Sequence, residues 1–265
     1  MFRRNAAAIQ TFELELATPS VAAGSPIGGQ VAGSREPMEI ALLRVERCPA
    51  GTVQKRVASE LVVPGETEGG FELVPPPDTP PSFVGQHCAL GFVVRARTQR
   101  RGRRQEQVAA PVAICGGEQR VHDGPHLHDR LIASFPARGF HLEVADALLE
   151  GGGRIEGRIH AHDDLARSVE VTARCEEAWR TNLKFRNRRH PPLWREATLW
   201  EETSRVECEA GRHWHPFAFA IPGELPPAVE GYIVSWRYEV EARCRARVGF
   251  TDRAVITPLR FEIGY

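Results

Sequence analysis

The chain has 265 residues, of which 42% are hydrophobic and 26% charged, and its formal net charge at pH 7 is zero. This length can fold around one large core or two ordinary ones. Because the charges balance, the chain as a whole is not drawn to nucleic acid or to an anionic membrane, so any such attraction must be local.

The six cysteines are scattered through apolar runs without a C-x-x-C pair. Buried free thiols are therefore the first expectation, and disulfide bonds or a metal site the second. No run reaches the roughly 20 apolar residues of a membrane-spanning helix, and the apolar run near residue 1 is too short for a signal-peptide core. We expect a cytoplasmic protein.

The first predicted element is a strand at 12–16, in which Phe12, Leu14 and Leu16 alternate with polar residues. A period of two places the apolar side chains over a core and the others in water. The pattern returns at 140–144 and at 234–244, where the residues assigned to water are Ser235, Arg237, Glu239, Glu241 and Arg243.

Gly- and Pro-rich breaks separate the strand-like runs, and no segment shows a capped helix with helical periodicity. Many short strands divided by turns predict an all-β protein made of antiparallel sandwiches.

Two blocks of the sequence occur twice. The block 12–31 aligns with 140–159, and the block 80–97 aligns with 226–243, each member of the second pair opening with P-P-x-x-x-G. A repeat of this size predicts two sandwiches in tandem, because each copy spans the length of one sandwich.

We place the first sandwich at 1–115, a linker at 116–138 and the second sandwich at 139–265. The linker starts with Gly-Gly, contains two prolines and lacks strand alternation. The second copy is longer than the first, and we place its additional residues around 182–197.

These patterns resemble the arrestin fold family, which includes arrestins, arrestin-domain proteins, a retromer subunit and prokaryotic relatives. The resemblance rests on the Gly turn and G-x-V strand at 24–31, F-E-L at 71–73, and PPSFVG with its alternating strand at 80–96. It implies two immunoglobulin-like sandwiches joined by a short linker. It also implies a non-catalytic adaptor or scaffold that binds a protein partner and needs no cofactor.

Four of the six arginines in the segment 95–105 flank Gly102 between two strand-like runs, which predicts an exposed hairpin tip. It is either a solvated tip that protects a sheet edge or a docking site for anionic lipid headgroups, acidic peptide or phosphate. These arginines are Arg100, Arg101, Arg103 and Arg104.

A second basic segment, 184–194, lies among the additional residues of the second copy. Its charges surround Phe185 and could contact a partner, a membrane surface or nucleic acid, although the balanced charge makes nucleic acid the least expected. Loops of this kind also tolerate drift without function. The charged residues are Lys184, Arg186, Arg188 and Arg189.

Histidine clusters leave a metal-dependent enzyme open as an alternative. His122, His126 and His128 lie beside two aspartates, and two His-x-His pairs, at 160–162 and 213–215, could each present two zinc ligands on one face of a strand. Exposed histidines without metal are the simpler interpretation, and no motif of nucleophilic or phosphate chemistry is present. A self-assembling structural protein is the remaining alternative, and the sequence leaves the oligomeric state open.

Overall fold

A computed structural model describes residues 12–33, 36–63, 68–99, 107–115, 131–137, 140–145, 152–161, 168–183, 192–209, 213–244 and 259–260. These residues form strands and their connections. They contain no helix long and apolar enough to span a membrane.

The first nine strands are β1 Glu13–Leu16, β2 Ser20–Ala22, β3 Ile27–Ala32, β4 Met38–Cys48, β5 Gly51–Val62, β6 Glu68–Leu73, β7 Phe83–Val84, β8 Ala89–Thr98 and β9 Gln107–Cys115. The next nine are β10 Leu131–Ala137, β11 Phe140–Ala145, β12 Arg154–Ala161, β13 Ser168–Arg180, β14 Trp194–Glu207, β15 His215–Ala220, β16 Val229–Glu230, β17 Val234–Cys244 and β18 Leu259–Arg260.

The first copy forms a sandwich of two sheets, ordered β1-β3-β6 and β2-β9-β8-β4-β5, with β7 added to β8. Among its described strands, all pairs are antiparallel except β2 with β9. Alternating apolar side chains from both sheets meet in one core, as the period of two predicts. Its fully buried members include Ile27, Val31, Met38, Ile40 and Val94.

The second copy repeats this architecture with sheets ordered β10-β11-β12-β15 and β14-β13-β17-β16, with β18 added to β17. A separate apolar core lies between them, and it includes Leu142, Ile155, Val171, Phe219 and Tyr238. The predicted all-β fold of tandem antiparallel sandwiches is confirmed.

One repeated contact explains part of the sequence repeat. Gly29 pairs with Phe71 between β3 and β6, and Gly157 pairs with Phe217 between β12 and β15. In both copies the phenylalanine ring lies over the glycine so closely that a Cβ atom would collide with it. Each glycine therefore makes room for the aromatic side chain of its neighbouring strand.

The strand register shows where the second copy is longer. Cys48 pairs with Gly51 across the turn 49–50, whereas Arg180 pairs with Trp194 across the loop 181–193. Most of the additional residues lie in this loop, in agreement with the placement around 182–197.

Strand β10 lies within the segment 116–138 that we expected to be a connector, and this expectation is wrong for these residues. Leu131–Ala137 pairs with β11, with Phe135 opposite Leu142. Leu131, Ala133 and Phe135 alternate as in a strand, but Pro136 next to them argues against a strand because proline lacks a backbone N–H. The second sandwich therefore starts by residue 131, while 116–130 and 138 lie outside the described residues.

Strand β17 departs from the sequence analysis on one face. The apolar residues of 234–242 are buried as expected, but Ser235, Glu239 and Glu241, which the alternation assigned to water, are 0%, 4% and 4% exposed. Arg174 of β13 reaches across both carboxylates, at 2.6 Å from Glu239 and 3.9 Å from Glu241. This hydrogen bond to Glu239 raises the pKa of Arg174 above its usual range. Ion pairs therefore cover part of the outer face of this sheet, and the alternation of apolar and polar residues does not predict them.

The turn before β16 depends on one buried hydroxyl. Tyr238 donates a hydrogen bond to the carbonyl oxygen of Pro226 at 2.7 Å. We expect Tyr238→Phe to lower the free energy of unfolding by about 1–3 kcal/mol, because a buried carbonyl loses its donor. Urea denaturation followed by circular dichroism measures the change. The control is Tyr232→Phe at a ring that is 47% exposed, which should change stability by less than about 0.5 kcal/mol; equal effects would contradict the assignment.

Candidate functional site

The predicted arginine loop closes the hairpin between β8 and β9, whose last registered pair before the loop is Arg97 with Gln107. The hairpin is therefore confirmed by its two strands. Arg100, Arg101, Arg103 and Arg104 lie outside the described residues, and their role stays a prediction.

The second basic loop is closed at its base by a hydrogen-bonded clasp. The backbone N–H of Thr181 donates to the Leu193 carbonyl oxygen at 2.8 Å. The side-chain oxygen of Asn182 accepts from the Leu193 N–H and from Nε of Arg180, each at 3.2 Å. Lys184, Arg186, Arg188 and Arg189 lie outside the described residues.

The two basic loops start from opposite ends of the first sandwich. Leu183, at the base of the second loop, packs beside Gly51, where β4 ends. The arginine loop follows Thr98, which pairs with Met38 at the start of β4. A strand of this length spans roughly 30 Å. One compact anionic group therefore cannot contact both loop bases at once.

The histidine pairs are separated by the structure. His215 is buried, and it pairs with Ile159 on the core side of its sheet, so it faces away from His160 on the next position of β12. His213 precedes the strand and stacks on His160 instead, with ring centroids 5.9 Å apart. The expectation that residues 213 and 215 share one face is wrong because residue 213 is not in the strand.

Within the described residues, no group of three or more His, Cys, Asp or Glu side chains could hold a metal ion. His122, His126 and His128 lie outside the described residues, so their part of the hypothesis stays untested.

The most unusual site in the described residues lies where the two sandwiches meet. Glu177, on the core-facing side of β13, is fully buried. Its carboxylate accepts hydrogen bonds from the backbone N–H groups of His87, at 2.8 Å, and Cys88, at 3.1 Å, both in the first sandwich. The indole N–H of Trp236 donates a third, at 3.2 Å. A buried carboxylate is stable here because three donors replace its water.

Glu46 makes the reverse contact from the first sandwich into the second. It is 1% exposed and accepts a hydrogen bond from the backbone N–H of Ile233 at 2.8 Å. Nε of Arg44 lies 2.9 Å from its other oxygen. That N–H does not point at the oxygen, so the contact is an ion pair without a hydrogen bond.

The two glutamates occupy equivalent positions of the repeat. Glu46 is registered opposite Leu90 on β8, and Glu177 opposite Trp236 on β17. Each binds the turn that precedes the long central strand of the other sandwich. We call this arrangement the reciprocal glutamate pair, Glu46 and Glu177.

The reciprocal glutamate pair explains the glycine of the repeated P-P-x-x-x-G sequence. A Cβ atom on Gly85 would collide with the Glu177 carboxylate, and one on Gly231 would collide with the carbonyl oxygen of Val234 and lie 2.9 Å from Oε2 of Glu46. Only glycine lets the turn approach the carboxylate of the other sandwich this closely.

Aromatic contacts fill the rest of the junction. Phe83 meets Trp236 edge to face, with centroids 5.5 Å apart, and His87 lies against Trp179 at 5.0 Å. At the rim, Nζ of Lys55 sits 3.6 Å above the ring of Tyr232. Trp179 and Trp236 of the second copy belong to the apolar core of the first, so the two sandwiches share a packed junction.

Neither glutamate was predicted from the sequence. The available signal was a single charge at a core-facing position of an apolar strand, with Cys175 and Trp179 two residues on either side of Glu177. The repeated glycines were noticed without their partners.

Comparison with known proteins supports the fold. The family model described as "Arrestin (or S-antigen), N-terminal domain" matches residues 153–259, which is most of the second copy. No curated protein matches the chain significantly. The match and the all-β architecture together confirm the predicted arrestin-like fold.

Removing a carboxylate from the junction should be costly. We expect Glu177→Ala to lower the free energy of unfolding by more than about 3 kcal/mol, since it leaves three N–H groups without their acceptor, and the bonds from Cys88 and Trp236 are buried. Urea denaturation measures the loss. The control is Glu156→Ala, whose side chain is 56% exposed beside Arg154 and should matter by less than about 0.5 kcal/mol. A loss below about 1 kcal/mol for Glu177→Ala would rule out this role.

Substitution of Gly85 tests the close approach of its turn to the Glu177 carboxylate. We expect Gly85→Ala to destabilise the protein by about 1–3 kcal/mol through overpacking against Glu177. Gly91→Ala is the matched control on the following strand, since a Cβ atom there meets nothing within 4 Å; it should be neutral or slightly stabilising. Indistinguishable thermal stabilities for the two variants would refute the close approach.

Proposed function

We propose that this arrestin-like protein is a non-enzymatic adaptor that binds a protein partner in the cytoplasm. The observation that carries the proposal is the match to the arrestin N-terminal domain over 153–259, in a chain whose two copies both fold as sandwiches. The packed junction adds support, because it holds the exposed surfaces of the two sandwiches in one fixed arrangement to which a partner could bind.

Strand β14 is the surface we assign to a partner. It lies at the edge of its sheet and, among the described residues, pairs with β13 alone. An edge strand leaves backbone N–H and C=O groups to which an extended segment can add a strand. Most of its side chains are exposed, and its glutamates outnumber its arginines, which favours a basic partner segment. The charged residues are Arg195, Glu196, Glu201, Glu202, Arg205 and Glu207.

The two basic loops would act as electrostatic docking points at different parts of the same partner. Because their bases lie roughly 30 Å apart along β4, the partner must be extended or must present two acidic patches. Arginine suits such patches because its planar guanidinium group matches carboxylate and phosphate geometry. An anionic membrane surface is the competing target for the same charges.

The test is affinity purification from native lysate at low and high salt, with mass spectrometry of the captured proteins. We expect a reproducible partner whose capture weakens at high salt. Changing Arg100, Arg101, Arg103 and Arg104 together to Ser should reduce capture about tenfold or more, since each exposed charge contributes up to about 1 kcal/mol. The same change at Lys184, Arg186, Arg188 and Arg189 tests the second loop.

The matched control is the double variant Arg56→Ser and Arg154→Ser, which removes exposed arginines outside both loops and outside β14 and should leave capture unchanged. Unaltered capture by both loop variants would remove the loops from the proposal. Binding to phosphatidylserine vesicles without any captured protein would replace the protein partner by a membrane. Stoichiometric zinc in the purified chain would favour the enzyme alternative, and concentration-dependent assembly the structural one.

A further inference from the structure

Two cysteines face each other across the central strands of the first sandwich. The ladder between β4 and β8 runs in unbroken antiparallel register to the pair Arg47 and Ala89. The next step of that register places Cys48 directly opposite Cys88. Both side chains lie on the core-facing side of the sheet, and both thiols are free in this structure.

The backbone contacts of these residues make them a non-hydrogen-bonded pair. The Cys88 N–H donates to Glu177, and its carbonyl oxygen accepts from the Gly85 N–H at 2.8 Å. Cys48 is registered with Gly51 across the turn on its other side. In such a pair the Cα atoms lie about 4.5 Å apart and the side chains are at their closest. This spacing falls within the roughly 4.4–6.8 Å that disulfides span.

We propose that Cys48 and Cys88 form a reversible cross-strand disulfide, which makes the junction of the two sandwiches a site of redox modification. The fold itself does not require a thiol pair at this place. In the second copy the equivalent cross-strand pair is Trp179 opposite Val234.

The oxidant we assign is a low-molecular-weight disulfide such as glutathione disulfide. The Cys48 thiol is half-buried and Cys88 is 3% exposed, so Cys48 reacts first. Its thiolate attacks one glutathione sulfur, the glutathione S–S bond breaks, and one glutathione thiolate leaves. The Cys88 thiolate then attacks Sγ of Cys48, and the second glutathione leaves. Two protein thiols are oxidised to one disulfide, one glutathione disulfide is reduced to two thiols, and protons are conserved.

The environment of Cys88 makes the second step slow near neutral pH. Burial, with the nearby charges of Glu177 and Cys48, raises the pKa of Cys88 to about 12. At pH values below this pKa, each increase of one pH unit therefore raises the thiolate fraction of Cys88 about tenfold. Closure should be slow at pH 7 and much faster at pH 9.

The proposed bond would form beside the contacts that join the sandwiches. Sγ of Cys48 donates to the carbonyl oxygen of Arg180 in the second sandwich at 3.7 Å. Oxidation removes that donor. It also cross-links the residue whose backbone N–H Glu177 binds. The redox state of the pair is thus coupled to the junction by two direct contacts.

The test uses the full chain with Cys115→Ser, which removes an exposed thiol that could link two molecules. The folded protein is equilibrated in buffers of reduced and oxidised glutathione at pH 7 and pH 9, blocked with a thiol reagent, and digested without reduction. We expect a peptide pair linked through Cys48 and Cys88, formed faster at pH 9 and lost after reduction with dithiothreitol.

Three further variants make the result specific. Cys88→Ala should leave Cys48 carrying glutathione, and Cys48→Ala should leave Cys88 reduced. Cys208→Ala, at a half-buried cysteine of the second sandwich, should keep the linked pair. The proposal is overturned if both thiols stay free in every buffer, if the link forms only in urea, or if Cys48 in the unaltered pair stops at the glutathione adduct at pH 9.

Discussion

A carboxylate that leaves water must find other hydrogen-bond donors, and in this protein the backbone donors come from the other half of the molecule. Glu177 receives two backbone N–H groups of the first sandwich, and Glu46 receives one of the second. Isolated burial of either charge would cost several kcal/mol. Neither sandwich can therefore bury its glutamate as a hydrogen-bonded carboxylate unless the other sandwich is packed against it. The junction thus contributes to the stability of both folds.

The two halves of this arrangement are equivalent in position but not in chemistry. Glu177 is surrounded by hydrogen-bond donors and aromatic rings, whereas Glu46 has one backbone donor and the guanidinium group of Arg44. Arg44 also reaches the carbonyl oxygen of Glu230 at 3.4 Å, near the half-exposed Tyr232. The Glu46 side is thus the more ionic end of the junction, and because its ion pair is buried, salt should screen it only weakly.

The sequence alone predicted the all-β class, the tandem repeat and the location of the longer loop, because each of these produces a recognisable pattern of residues. Alternation marks a strand facing a core, and a repeat marks a duplicated sandwich. It did not reach the burial of Glu239 and Glu241, since their cover is Arg174 from a different strand. It also missed strand β10, where Pro136 argued against a strand. The reciprocal glutamate pair was missed for a similar reason, because most of its hydrogen-bond donors are backbone N–H groups of the other sandwich, which the sequence does not mark.

The indole of Trp236 is 1% exposed, with its N–H on the Glu177 carboxylate and its ring against Phe83 of the other sandwich. A tryptophan held out of water emits at shorter wavelength than one in water. Separation of the sandwiches would wet this ring and shift its emission to the red. Trp236 is one of five tryptophans, so a variant that keeps it alone would report by its own emission, without an attached label, whether the two halves are together.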